Sequence, residues 1–251
     1  TPVTHIKTEF GSIRGTSSHH YNPAMILCDR HATEDAGDCF GLCLAYSGSF
    51  TAMAQKDQRD QIRVQMGINP YQFRWCLTEG ETFFAPQVIL SFSNQGFSKL
   101  SHQYHDILHE HMCRGRYKHE RRPVLINNWE ATYFDFNEEK IEKIAAQAGE
   151  LGIEMMVLDD GWFGKRDDDN SGLGDWFVNE KKIRGGLPKL SEKIHEKGMK
   201  FGLWFEPEMI SEDSDLYRAH PDWAITIPGR VPNHARNQLV LDMTRSDVRD
   251  Y

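Results

Sequence analysis

Between Pro123 and Phe205 the apolar residues arrive in the order strand, helix, strand, helix, strand, which few folds can accommodate. Residues 124–129, 153–158 and 201–205 are short apolar runs of strand length. Residues 137–151 set Ile141, Ile144, Ala145, Ala148 and Leu151 on one helical face, and residues 187–197 form a second helix. Gly149-Glu150-Leu151-Gly152 and Glu196-Lys197-Gly198 supply the stop between each helix and the next strand. Parallel strands joined by helices need neighbours on both sides and cover on both faces. A closed eight-stranded barrel takes roughly 250 residues by itself, and residues 123–251 hold about three such units. Either the units continue beyond Tyr251 or they form an open α/β sheet. The ending Thr244-Arg245-Ser246-Asp247-Val248-Arg249-Asp250-Tyr251 reads as the first turns of a helix.

The first 95 residues follow a different period. Residues 25–27, 40–46, 61–66, 71–77 and 83–92 are short segments of β-branched and aromatic residues separated by Gly, Asn, Asp and Pro turns, which predicts a sandwich or another antiparallel sheet. From residue 96 to 116, Leu100, Tyr104, Ile107, Leu108, His111 and Met112 recur near helical spacing, predicting a helical linker. His102, His105, His109, His111 and His119 fall in or just after it. The His105–His109 spacing could face two rings the same way, but no HExxH pattern accompanies it, so solvated or capping histidines are the reading.

Composition removes several function classes. A net charge of −8 argues against a general nucleic-acid binder, which would concentrate Lys and Arg. Hydrophobic residues at 39% and charged residues at 26% describe a folding chain rather than a disordered one. No run reaches the roughly 18–20 apolar residues that span a bilayer, and the opening TPVTHIKTEF carries no signal-peptide pattern. Five cysteines at low density suit a reducing cytoplasm, and Cys39 and Cys43, with no CxxC pair and no companion metal ligands, read as buried thiols.

In a βα barrel the chemistry sits at the carboxyl ends of the strands. The three predicted strands end in Asn127-Asn128-Trp129-Glu130, in Asp159-Asp160-Gly161-Trp162 and in Trp204-Phe205-Glu206-Pro207-Glu208. Sugars need this mixture, because their hydroxyls take polar partners at fixed positions while the C–H face of the ring lies on an aromatic plate. Asp159 and Asp160 are adjacent, so their side chains point apart in strict strand geometry, and a turn at the strand end would let both reach one ligand. Each could equally be a loop carboxylate paired with Lys165 or Arg166. The run Asp167-Asp168-Asp169-Asn170 lacks the glycine and distal glutamate of a calcium loop and reads as a solvated acidic loop. Asp175 and Trp176, in the same long insertion, are further candidates.

Asn128-Trp129-Glu130-Ala131, Leu158-Asp159-Asp160-Gly161-Trp162-Phe163-Gly164, Gly186-Leu187-Pro188, Gly202-Leu203-Trp204-Phe205-Glu206-Pro207-Glu208-Met209 and Asn237-Gln238-Leu239-Val240-Leu241-Asp242 resemble, in order and spacing, the bacterial α-galactosidases of glycoside hydrolase family 36. The resemblance implies a β-sandwich portion followed by an incomplete (β/α)8 TIM barrel. The end of an N-terminal sandwich would occupy residues 1–95, a helical linker 96–122, and the first three or so βα units of the barrel 123–251. It further implies a retaining hydrolase of terminal α-galactosyl residues in melibiose- and raffinose-type oligosaccharides. Asp159 and Asp160 would match the carboxylates on galactose O4 and O6, Trp129 and Trp204 the pocket aromatics, and Arg236 an arginine near the hydroxyls. The family implies no metal or organic cofactor, and a homotetramer as the assembled form.

One feature of the family is missing. Its nucleophile is the aspartate of a Lys-Trp-Asp-Met-Asn-Arg-like strand end, a motif absent from this sequence and expected beyond Tyr251, with the acid/base aspartate further on. Asp242 precedes a methionine but lacks the rest of the motif, so no catalytic residue is assigned within the chain. The fragment alone is expected to be inactive and, with an open parallel edge, prone to aggregation. Two other readings stay open from the residues: a non-catalytic carbohydrate-binding module, and a complete small α/β enzyme using Asp160 with Glu206 or Glu208.

Overall fold

The computed structural model describes every residue except Asn233 and Ala235. It separates into two compact units, Thr1–Glu120 and Arg121–Tyr251.

The first unit contains strands β1 (Thr8–Gly11), β2 (Ala24–Cys28), β3 (Cys39–Leu44), β4 (Phe50–Lys56), β5 (Ile62–Ile68) and β6 (Val88–Ser93), followed by helix α1 (Gly96–Ile107). They form two three-stranded antiparallel sheets, ordered β1-β4-β5 and β2-β3-β6. Leu44, Phe50 and Ala52 are buried together, with Met25, Met66 and Val88 packed against them, so one core draws on both sheets. In β4 the inward positions are Phe50, Ala52 and Ala54. Two alanines give a weak alternation signal, and the strand is correspondingly faint in the sequence.

Two predicted strands shrink. Residues 71–77 form no strand: Tyr71, Phe73, Trp75 and Leu77 are exposed, and the rings of Phe73 and Trp75 gather on Phe83 instead. The predicted 83–92 strand begins only at Val88, because its ladder partner β3 ends at Leu44, which pairs with Val88. Helix α1 lies on the β2-β3-β6 sheet rather than standing free of it. Tyr104 Oη donates to the Ile89 carbonyl (3.1 Å) and Ser91 Oγ to Gln103 (2.9 Å). A β-carbon at Gly41 would come within 2.5 Å of the Tyr104 ring, so the helix packs that closely only against glycine. A π-helical turn, Leu108–Met112, ends the segment.

The second unit carries β7 (Leu125–Asn127), the short α2 (Trp129–Thr132), α3 (Glu138–Glu150), β8 (Met155–Leu158), α4 (Gly186–His195), β9 (Lys200–Leu203), β10 (Met209–Ile210), α5 (Asp215–Ala219), β11 (Leu239–Val240) and α6 (Ser246–Asp250). β7, β8 and β9 form a parallel sheet with β8 in the centre, in register from Leu125↔Met155 and Met155↔Lys200. Among the described residues this sheet has three strands and does not close into a barrel. Asn137 caps α3 by accepting from the Lys140 N–H (3.0 Å), where the polar-to-apolar switch in the sequence places the helix start.

The predicted helix face is buried at Ile141, Ala145 and Ala148, and Ile144 packs against the same core. Leu151 is 83% exposed, because it lies past the last helical residue and no longer follows the stripe. Leu190 and Ile194 of α4 and Met156 and Leu158 of β8 complete this core, together with Phe163, Leu173 and Ile183 from the long β8–α4 insertion. A second cluster, including Ile210, Leu216, Trp223 and Leu239, holds the last elements together. No helix among the described residues is long and apolar enough to cross a membrane. All five cysteines are free.

Candidate functional site

The parallel sheet brings three strand ends side by side, and Trp129, Asp159, Asp160 and Trp204 lie there. β7 stops at Asn127, so Trp129 opens the helical turn α2 instead of extending the strand, and its N–H donates to Asn127 Oδ1 (2.7 Å). Trp204, just after β9, continues the ladder by donating its N–H to the Leu158 carbonyl (2.9 Å). Trp129 meets Tyr133 and Phe134 edge-on with centroids at 5.1 Å. Trp204 is stacked on Phe163 (6.4 Å, 12°) and accepts at its carbonyl from Trp162 Nε1 (3.0 Å). Both tryptophans are half-buried.

Asp159 and Asp160 end the central strand, and both are buried. Their carboxylates do diverge, each toward its own partners. Asn127 Nδ2 donates to Asp159 Oδ2, the Asp159 N–H donates to Asn128 Oδ1 (2.8 Å), and Asp159 Oδ1 accepts from the Asp160 N–H (2.7 Å). Asp160 faces Arg166: Nε lies 3.0 and 3.2 Å from its two oxygens, and Nη2 lies 2.9 Å from Oδ2. The turn that follows needs Gly161 at φ 95°, where a β-carbon would meet Phe134 at 2.9 Å. A carboxylate clasped this way by a guanidinium is poorly placed to shuttle a proton, which weighs against Asp160 as half of an acid/base pair.

Arg236 lies further out. Its side chain is 60% exposed, with φ at 53°, and it pairs with Asp169 (3.7 Å) rather than with Asp159 or Asp160. Asn237 Nδ2 donates to Asn170 Oδ1 (3.0 Å), so the 236–237 segment is tied to the acidic loop twice. That loop does not gather as a cation site: Asp167 pairs with Lys182 (2.8 Å), Asp168 accepts from the Asn170 N–H (2.7 Å), and Asp169 lies between Arg166 (3.5 Å) and Arg236.

Other candidates have structural roles. Asp175 is buried and accepts from the N–H groups of Asp215 (3.0 Å) and Leu216 (2.9 Å), satisfying the first turn of α5. Trp176 packs between Phe163 (4.5 Å) and Phe205 (5.2 Å). Asp242 accepts from the Thr244 hydroxyl (2.6 Å) and N–H (3.0 Å), which hold its carboxyl below the usual carboxylate range and fix the turn into α6. In the first unit, His109, Glu110 and His119 bring ligand-type atoms within 4.8 Å of one another, all exposed. His109 Nδ1 is engaged by Glu110 (2.8 Å) and Nε2 by the Lys118 carbonyl, while the Lys118 ammonium stands 3.7 Å from the Glu110 carboxylate where a metal would compete with it.

Two residues gain importance only in three dimensions. Arg166, weighed in the sequence only as a pairing partner, has a fully buried guanidinium. Asn128 is fully buried, and its amide joins the Asp159 backbone to Thr132 Oγ1 (2.9 Å). Glu206 is half-buried, and its Oε2 has no hydrogen-bond partner. Burial, opposed by Arg236 and reinforced by Glu208 and Asp160, pushes its carboxyl up. The folded chain therefore retains this proton to higher pH than the unfolded chain, which releases it near the ordinary value of about 4.3. Stability falls as pH rises through the window between the two values and stays at the lower level above it. E206Q should remove that slope, leaving the chain slightly more stable than its parent at pH 7 and equal near pH 4. Urea midpoints at the two pH values measure this, and a loss at pH 7 would refute it.

Residues 82–251 match the family model Melibiase, and residues 1–78 match the Glycosyl hydrolase family 36 N-terminal domain. The chain is 58% identical over 250 residues to the bifunctional alpha-galactosidase/sucrose kinase AgaSK of Mediterraneibacter gnavus, covering 100% of this chain and 27% of that protein. It is 52% identical to alpha-galactosidase AgaA of Geobacillus stearothermophilus, covering 96% of this chain and 33% of AgaA. The solved galactosidase domain of AgaSK superposes with a TM-score of 0.95, and an AgaA variant in complex with raffinose with 0.96 at 50% identity, each covering 100% of this chain and 35% of the other. The chain thus spans about a third or less of the length of these relatives. With both family models matched in order along nearly its whole length, the chain belongs to the melibiase family of glycoside hydrolase family 36.

Proposed function

We propose that the protein containing this chain hydrolyses terminal non-reducing α-galactosyl residues of melibiose- and raffinose-type oligosaccharides, and that this chain supplies one side of the galactose pocket. The observation that carries the reading is the placement of Asp159 and Asp160 at the end of the central parallel strand, flanked by half-buried Trp129 and Trp204 on its two neighbours. Carboxylates take the sugar hydroxyls and the indoles take its C–H face. In this reading residues 1–95 are part of a β-sandwich, 96–122 a helical connection and 123–251 the start of a (β/α)8 barrel. Arg236 meets the sugar hydroxyls from its place beside Asp169. Retention requires a carboxylate nucleophile and an acid/base carboxyl about 5–5.5 Å apart. Neither is assigned here, so both come from later strands.

The test measures release of nitrophenol from an aryl α-galactoside by the complete protein and by the 251-residue chain. Turnover by the complete protein, its loss in D159A, and none by the chain alone are expected. No turnover by the complete protein would sink the proposal. Turnover by the chain alone would move the chemistry onto residues within it.

A further inference from the structure

We infer that Arg166 is the positioning residue of this pocket, holding three of its proposed sugar-binding side chains from behind without touching the sugar. This rests on the galactoside reading above. The guanidinium is fully buried and lies outside the strand-end motifs. Directly, it clasps Asp160 through three N–H···O contacts of 2.9 to 3.2 Å. A carboxylate has about four acceptor directions, so Asp160 keeps capacity for about one further hydrogen bond, in a direction set by Arg166. Through Asp169, which lies 3.5 Å from Arg166 and 3.7 Å from Arg236, the same guanidinium sets the second arginine. Its carbon also lies 5.6 Å from the Phe134 ring centroid, and Phe134 meets Trp129 edge-on at 5.1 Å.

Arg166 is itself over-determined. Nη1 donates to the Ser171 carbonyl (3.1 Å), and the Arg166 carbonyl accepts from the Lys182 ammonium (3.2 Å), which also reaches the carbonyls of Phe134 (3.1 Å) and Gly161 (3.2 Å). The long insertion between β8 and α4 therefore serves to bring a rigid, five-donor fork under the strand end. Lysine keeps the charge but, as a point donor, cannot hold Asp160 at both oxygens while reaching Ser171 and Asp169.

The experiment uses R166K in the complete protein, with folding checked by thermal melting. It measures kcat/KM for an aryl α-galactoside and for its 4-deoxy and 6-deoxy analogues. R166K should lower kcat/KM for the galactoside by about 10- to 100-fold, as expected when a binding group is displaced by a fraction of an ångström. On the analogue lacking the hydroxyl that Asp160 meets, the loss should be about 3- to 10-fold smaller, because the Asp160 bond is then absent and only the shifts of Arg236 and Trp129 remain. An equal loss on all three substrates would make Arg166 merely structural, and wild-type rates would make it dispensable; either overturns the inference. Should R166K fail to fold, D169N leaves the Asp160–Arg166 clasp intact and is expected to raise KM about 3- to 10-fold with kcat within about 2-fold; an unchanged KM would overturn it. An inactive parent protein overturns the galactoside reading and the positioning role together, whereas an active parent with either negative result overturns the positioning role alone.

Discussion

Replacing Asp160 by alanine should destabilise the second unit by about 3–5 kcal/mol, because the fully buried Arg166 guanidinium loses its principal partner and keeps only Asp169 at 3.5 Å and the Ser171 carbonyl. The pair itself need not be strongly stabilising. Taking both charges out of solvent costs several kcal/mol each, and their attraction only offsets that. The large effect comes from removing one partner and leaving the other desolvated. The double variant D160A/R166M should therefore recover much of the loss, giving a coupling of about 2–3 kcal/mol between the two positions. Urea unfolding followed by tryptophan fluorescence measures this, since Trp162 and Trp204 lie on the adjoining strand ends and are joined by the 3.0 Å hydrogen bond. Losses that simply add in the double variant would show that the buried pair carries no special cost.

Phe163→Ala should cost a further large amount, about 3–5 kcal/mol, as expected for deleting a fully buried aromatic ring from a packed core. Phe163 is an unusually shared contact: it touches Trp162 (5.1 Å), Trp176 (4.5 Å) and Trp204 (6.4 Å, nearly parallel). Its removal should also loosen Trp204, which the proposed pocket uses as a wall. The expected signature is a reduced near-ultraviolet circular dichroism band together with the lower unfolding midpoint. F163L keeps most of the volume and should lose about 1–2 kcal/mol with a smaller spectral change. A midpoint unchanged by F163A would mean that the surrounding rings collapse into the cavity.

Both predictions concern residues that the strand-end motifs contain or adjoin, yet their magnitudes rest on burial and partners that no motif displays. Phe163 is one letter in a recognisable run, and Arg166 is one basic residue in an acidic loop. Asp175 shows the opposite case. An acidic residue beside a tryptophan looks functional in the sequence, but in the folded chain it caps α5, because the first N–H groups of that helix need acceptors and the insertion places a carboxylate there.

The residues by themselves determined the change from alternating to helical period near position 96, the strand–helix order after Pro123, the start of α3 at Asn137, and the grouping of carboxylates and tryptophans at three strand ends. These are local properties, written in period 2 or 3.6, in caps and in glycine stops, and each is decided within a window of about ten residues. Only the tertiary structure decided which way each carboxylate faces, that β6 begins where β3 ends, that residues 71–77 lack a ladder, that α1 lies on a sheet, and that Arg166 rather than Lys165 fills the space behind Asp160. The physical reason is the same throughout. A hydrogen bond or ion pair between residues far apart in the chain depends on register and desolvation, and both exist only after the strands have been brought side by side.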